Sequence, residues 1–247
     1  MFPLRAIIAA SVALQIHPNV LTLIGVLINV IAACALGVDA FGLAFLIMLV
    51  GNIFDFIDGK VALITNTVSR FGAFWDSTLD RFSDISLFLG LIYLYAHLGR
   101  TGYVMVASLA MMFSIMTSYA RARAESLIEH MREVGFMQRP ERIVLFMIGA
   151  LTNRMAAVLW VILVLSIVTV ADRIYYTYLV LNAKPMPVGS NPLSSVLWRA
   201  FFWRDERGTV QYDLWVVAIL AFVWLTPPDW LNDPTASGLG IWALLGF

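Results

Sequence analysis

Long apolar runs, broken by short polar joints, dominate this chain. "VLTLIGVLINVIAACALGV" (20–38) holds no charged residue and is entered from His17, Pro18 and Asn19, a turn signal ahead of a helix. "AFGLAFLIMLVGNIFDFIDGKVALI" (40–64), "STLDRFSDISLFLGLIYLYAHLG" (77–99) and "GYVMVASLAMMFSIMTSYA" (102–120) follow. After a charged stretch come "RIVLFMIGALT" (142–152), the shortest run, and "MAAVLWVILVLSIVTVA" (155–171). A helix needs roughly 20 apolar residues to cross a bilayer. The pattern therefore predicts an all-α polytopic membrane protein, a six-transmembrane-helix bundle occupying residues 1–182. The opening "MFPLRAIIAASVALQ" shows no small-residue cleavage site behind its basic residue and is read as a retained segment lying in the interface. Residues 183–247 read as an interfacial loop rich in Pro, Ser and charge, then a short hydrophobic extension, "LWVVAILAFVWL" (214–225).

Composition agrees with this pattern and adds one exclusion. Of 247 residues 61% are hydrophobic and 13% charged, with mean hydropathy +0.84, against about 25% charged in a soluble domain. The formal net charge is zero, so bulk charge gives no case for nucleic-acid binding. The single Cys34 cannot form an intrachain disulfide. The distribution of charge is more telling. Arg121, Arg123, Arg132, Arg139 and Arg142 follow the fourth run, and Arg173, Lys184, Arg199, Arg204 and Arg207 follow or close the sixth. Basic residues mark cytoplasmic loops. Both ends of the bundle, and the joint between the second and third runs, are thus expected on the cytoplasmic side of an inner or plasma membrane.

That joint holds four carboxylates in "DFIDGKVALITNTVSRFGAFWDSTLD" (55–80). Asp55 and Asp58 are three residues apart, and Asp76 and Asp80 four apart, so each pair shares a helix face. A charge placed mid-helix in a bilayer costs about 3 kcal/mol on insertion scales, and nearby cations are few: Lys60, Arg70 and Arg81. Carboxylate oxygens are the ligands that Mg²⁺ and Mn²⁺ prefer. Four of them can clamp two ions for an in-line phosphoryl displacement. Gly59 and Gly72 allow a ligand to come close to the helices. Two other readings stay open: a hydrated groove in which the aspartates pair with the nearby bases, and a divalent-cation transporter. The clustering of all four acids at one membrane face, without repeat-related helices, favours an enzyme over a transporter.

On these residues the chain resembles the CDP-alcohol phosphotransferase family, whose signature D-x-x-D-G-x-x-A-R, eight residues, G-x-x-x-D-x-x-x-D is met by Asp55, Asp58, Gly59, Ala62, Gly72, Asp76 and Asp80. The resemblance covers residues 17 to 175 and implies the six-helix fold of that family. It also implies Asp55, Asp58, Asp76 and Asp80 as ligands of two Mg²⁺ or Mn²⁺ ions, Asp80 as the general base, and a homodimer. An acceptor hydroxyl would attack the β-phosphorus of CDP-diacylglycerol and expel CMP, with Gly59, Ala62 and Gly72 accommodating the nucleotide. One position departs from the signature: Leu63 stands where Arg is usual. Arg70, seven residues on, is expected to replace it from the same helical face; a weakened relative is the other consequence of that departure.

A second set of residues bears on the acceptor. "SYARARAE" (118–125) and "RPER" (139–142) place Ser118, Arg121, Arg139 and Arg142 near cytoplasmic helix ends. Arginine forks suit a phosphate monoester; arginines at such ends also set topology and meet lipid headgroups. Together with "FGAFWDSTLDR" (71–81), the pattern is similar to the branch of the family that makes phosphatidylinositol phosphate. That similarity implies inositol 1-phosphate bound by Ser118, Arg121, Arg139 and Arg142, with Arg173 as a further member. Glycerol 3-phosphate is the alternative acceptor, since arginines alone cannot count hydroxyls.

Overall fold

The computed structural model describes residues 2–128, 134–184 and 209–236, and every regular element among them is helical. The expected interfacial loop at 183–212 therefore lies mostly outside the described residues. The chain forms two compact units, Met1–Val104 and Met105–Phe247.

The first unit is built around one central helix. Helices α1 (Phe2–Ala13), α2 (Pro18–Gly37), α3 (Phe41–Ile64) and α4 (Arg70–His97) follow in order. Pro18 opens α2 behind His17, whose side chain accepts from the Asn19 amide; a proline fits the first helical turn because its missing N–H would have no partner there. α2 packs against both α3 and α4, and α1 lies on α3. Leu21, Ile57 and Val61 are buried together, with Ile8 and Val12 of α1 laid over them.

Small residues set how closely the three long helices approach. A Cβ on Gly25 would meet the Gly51 carbonyl of α3 at 3.3 Å, and one on Gly51 would meet the Asn29 side chain at 3.0 Å. A Cβ on Gly90 of α4 would run into the backbone of Ala33, while one on Gly37 would stand 3.4 Å from the Gly90 carbonyl. Backbone-to-backbone approach of this kind drives helix association where lipid offers no hydrophobic incentive. These contacts make α2 antiparallel to α3 and parallel to α4. α3 and α4 consequently present their acidic ends to the start of α2.

Several expected boundaries move. The third run, expected at 77–99, is a helix from Arg70 to His97, because Ser69 caps it by accepting from the Gly72 amide at 2.9 Å. The hydropathy signal missed those two turns because Arg70 and Asp76 depress it. α3 stops at Ile64, where Thr65 donates to the Val61 carbonyl at 2.7 Å and Asn66 turns left-handed at φ 53°. Leu63 and Arg70 thus belong to different helices. The shared helical face expected of them is not formed: a five-residue turn separates them, and the 3.6-residue period does not run through it.

The second unit holds most of α5 (Thr101–Glu125), then α6 (Arg139–Thr152), α7 (Met155–Leu181), α8 (Val210–Leu225) and the single turn α9 (Pro228–Leu231). The run expected at 155–171 continues to Leu181, the polar Asp172 and Arg173 being carried inside the helix. α6 and α7 meet at Asn153, which adopts φ 52° and returns its amide to the Gly149 carbonyl. Among the described residues, four helices are long and apolar enough to cross a membrane: α2, α3, α5 and α7. α4 has the length, 28 residues, but carries five charged side chains in its first fifteen positions; α6 has only 14 residues.

Candidate active site

The turn between α3 and α4 brings the acidic residues together. Asp55 and Asp58 stand on the last turns of α3, and Asp76 and Asp80 on the second and third turns of α4. One carboxylate oxygen from each of Asp55, Asp76 and Asp80 lies within 4.8 Å of the others, with Asp80 buried and the other two half-buried. Oxygens sharing one Mg²⁺ or Ca²⁺ stand at most roughly 4–5 Å apart, twice the metal–oxygen length. The triad therefore fits a hard divalent ion with little movement. Arg81 is brought to it, Nη1 standing 3.8 Å from Asp80 Oδ2. Lys60 instead lies 5.5 Å above the Phe56 ring.

Asp58 stands apart from the triad. It is 6% exposed and accepts from Thr22 Oγ1 of α2 and from the Gly59 amide, both at 2.5 Å. Its carboxylate is thereby held at the wall of a groove of about 250 Å³, which Gly59, Ala62, Gly72 and Asp76 also line. Beyond Gly59 the direction a Cβ would take is open for 4 Å, so the groove reaches the helix backbone there. At Gly72 a Cβ would instead press on the Ser69 cap at 3.1 Å. Of the expected nucleotide contacts, three therefore border one groove. Arg70 is exposed at the start of α4 and is not among the residues lining it.

Sequence reasoning missed the far wall. Pro18, Asn19 and Thr22 line the groove from α2, and the Trp75 indole donates to the Asn19 carbonyl at 3.2 Å, tying α4 to the same point. The signal was present in "HPN", which was read only as a helix start. Leu63 also lines the groove and is 61% exposed. An arginine there gains direct access to a bound phosphate. Leu63→Arg is accordingly expected to tighten binding of a phosphate-bearing ligand in this groove about threefold to tenfold, as a charge-assisted contact does; unchanged binding would show that this wall does not face the phosphates.

The second unit treats its candidate residues differently. Arg142 is 2% exposed and donates through Nη1 to Thr117 Oγ1 at 3.2 Å. Arg173, also buried, donates through Nε to the Val134 carbonyl at 3.1 Å and through Nη1 to the Thr117 carbonyl. Two guanidiniums thus converge on Thr117, the residue just before the candidate Ser118, which the sequence did not single out. Arg121 is turned along α5 to Glu125 Oε1 at 2.9 Å. Arg139 opens α6 half-buried, and Ser118 is half-buried on α5. Among the expected acceptor residues, then, the structure joins Arg142 and Arg173 and directs Arg121 to a carboxylate partner.

The sequence model of the CDP-alcohol phosphatidyltransferase family matches residues 15–183 of this chain. An archaetidylinositol phosphate synthase from Pyrococcus horikoshii is 36% identical over 173 residues, covering 70% of this chain and 89% of that one. A phosphatidylinositol phosphate synthase from Mycobacteroides abscessus is 32% identical over 171 residues, covering 64% and 76%. Among solved structures, the phosphatidylinositol phosphate synthase of Mycobacterium tuberculosis with CDP-DAG bound superposes with a TM-score of 0.66 at 25% identity, over 72% of this chain and 94% of that one.

Proposed function

This chain belongs to the CDP-alcohol phosphatidyltransferase family, and on that premise we propose that it transfers the phosphatidyl group of CDP-diacylglycerol to inositol 1-phosphate, releasing CMP. It is an integral membrane transferase, and the transporter reading falls with that assignment. The observation that carries the proposal is the convergence of the Asp55, Asp76 and Asp80 carboxylates beside a glycine-lined groove. The choice of acceptor is supported by the two matched relatives, one named archaetidylinositol phosphate synthase and the other phosphatidylinositol phosphate synthase. The choice of donor is supported by the CDP-DAG complex of a similar fold.

In this reading Asp55, Asp58, Asp76 and Asp80 hold two Mg²⁺ or Mn²⁺ ions. Bound there, the ions would supply positive charge to the diphosphate and stabilise the departing CMP. The groove beside Gly59, Ala62 and Gly72 takes the cytidine end, with Arg70 reaching it from the start of α4. Asp80 accepts the proton of the inositol phosphate hydroxyl as that oxygen bonds to the β-phosphorus. The bond between that phosphorus and the CMP oxygen breaks, and CMP leaves with the electron pair. Burial of Asp80 on α4 fixes the acceptor for that proton in place. Ser118, Arg121, Arg139, Arg142 and Arg173 hold the acceptor's own phosphate; the buried, hydrogen-bonded Arg142 and Arg173 supply fixed positive charge for it.

Six crossings, with α4 and α6 as the two that length or charge leaves short, a cytoplasmic site, a functional division at residues 182/183 and a homodimer complete the proposal. The arginines after α5 and α7 support the orientation, and the reach of the family model to residue 183 supports the division.

Purified protein in lipid nanodiscs, given CDP-diacylglycerol, Mg²⁺ and inositol 1-phosphate, is expected to release CMP. EDTA should abolish that release, and excess Mg²⁺ should restore it. CMP formed with glycerol 3-phosphate and none with inositol 1-phosphate would overturn the choice of acceptor. Undiminished turnover in EDTA would overturn the role given to the aspartates.

A further inference from the structure

The helix α8 lies beyond residue 183, where the family model ends, yet it is fastened to the segment that carries Arg139 and Arg142. Tyr212, in its first turn, donates from the phenol to Glu141 Oε1 at 3.2 Å. The Tyr212 ring packs on Phe136 with centroids 5.6 Å apart. At the other end, Arg154 Nη1 donates to the Thr226 carbonyl at 3.3 Å. Thirteen residues separate Glu141 from Arg154, and fourteen separate Tyr212 from Thr226. α8 therefore runs parallel to α6 with its ends in register.

Between these two fastenings the helices do not interdigitate. A groove of about 330 Å³ lies there, with Val144, Leu145 and Ile148 on one wall and Val216, Ile219 and Leu220 on the other. The polar contacts at the ends therefore do the fastening alongside α7, and polar contacts between helices are effective glue in a bilayer. The near end meets a segment of unusual connectivity. Phe136 is buried; the neighbouring Val134 carbonyl receives Arg173; the Met137 amide donates to Thr169 of α7 at 3.1 Å. Glu141 shares the first turn of α6 with Arg139, two residues before it, and Arg142, one residue after it.

We propose that Tyr212 is a positioning residue of the acceptor-phosphate site: through its hydrogen bond to Glu141 and its packing on Phe136, the C-terminal extension sets the first turn of α6, from which Arg139 and Arg142 project. The inference rests on the reading that Arg139 and Arg142 serve the acceptor phosphate. Releasing that turn shifts where both arginines stand, while the donor groove of the first unit is lined by other residues.

The test is steady-state kinetics of the full-length protein in nanodiscs. Tyr212→Phe is expected to raise the KM for inositol 1-phosphate about threefold to tenfold, the worth of one hydrogen bond, with kcat and the KM for CDP-diacylglycerol changed less than about twofold. In a Glu141→Leu background Tyr212→Phe should add nothing further, because the partner is already gone. Effects of the two changes that simply multiply, or a fall in kcat with both KM values raised, would overturn the inference, the latter pointing to general stability. Arg139→Gln separates the two layers. If it raises the acceptor KM and Tyr212→Phe does not, the positioning role is wrong while the site reading stands. If Arg139→Gln leaves that KM unchanged, the site reading falls and the positioning role with it.

Discussion

Asp76→Asn is expected to lower CMP release by about a hundredfold to a thousandfold, the usual cost of removing one preorganised group from a charge-stabilising site. Asparagine keeps the size of the side chain and one carbonyl oxygen but gives up the charge. Asp76 has two duties here: it contributes an oxygen to the triad with Asp55 and Asp80, and it lines the groove that Asp58 also borders. Losing it weakens ion binding and alters the floor on which the diphosphate would rest. The loss should be partly recovered at high Mg²⁺ if weakened ion binding is the main fault, and initial rates across a Mg²⁺ titration read that directly. Asp39→Asn is the matched control. Asp39 occupies the turn between α2 and α3, at the opposite end of α3 from the triad, with φ 62°, a conformation asparagine adopts readily. A large loss from that control, or a full rate for Asp76→Asn, would remove the basis for assigning the acidic cluster to catalysis.

Gly90→Ala should be the most damaging single methyl in the first unit. Its Cβ would meet the carbonyl, carbonyl carbon and Cα of Ala33, all backbone atoms that cannot rotate away. Overpacking of this kind costs about 1–3 kcal/mol, occasionally more, and here α2 and α4 must separate to relieve it. The thermal midpoint in detergent should fall and activity with it, since α4 carries Asp76 and Asp80. Gly42→Ala provides the contrast, because nothing stands within 4 Å of a Cβ there. It should leave the midpoint unchanged or raised, as glycine-to-alanine changes in helices do. Equal midpoints for both variants would mean that the helices are not held at backbone contact.

The acidic motif was legible because its logic is local. Spacings of three and four put each pair on a helix face, and a five-residue turn allows the two faces only one way of meeting. Charge obscured what hydropathy could show: Arg70 and Asp76 hid the first turns of α4, although Ser69 was available as a cap. Periodicity misled where it was carried through the Thr65–Ser69 turn, so Leu63 and Arg70 looked like neighbours on one helix. Contacts between residues distant in sequence were not visible at all. Thr22 on Asp58, Thr117 beneath two arginines, and Tyr212 on Glu141 each join residues 25 to 71 positions apart. No window along the chain reports such pairs. The glycines at 25, 51 and 90 were equally silent, because what they permit depends on which helix comes to lie opposite.

The brevity of the turn between α3 and α4 also matters while the protein is being made. From Asp55 to Asp80 the ribosome adds 25 residues, which takes about one to five seconds at ordinary elongation rates. The first two acids therefore wait only that long in the translocon before their counterparts emerge. The short turn thus keeps brief the interval in which the acids of α3 are without those of α4 beside them.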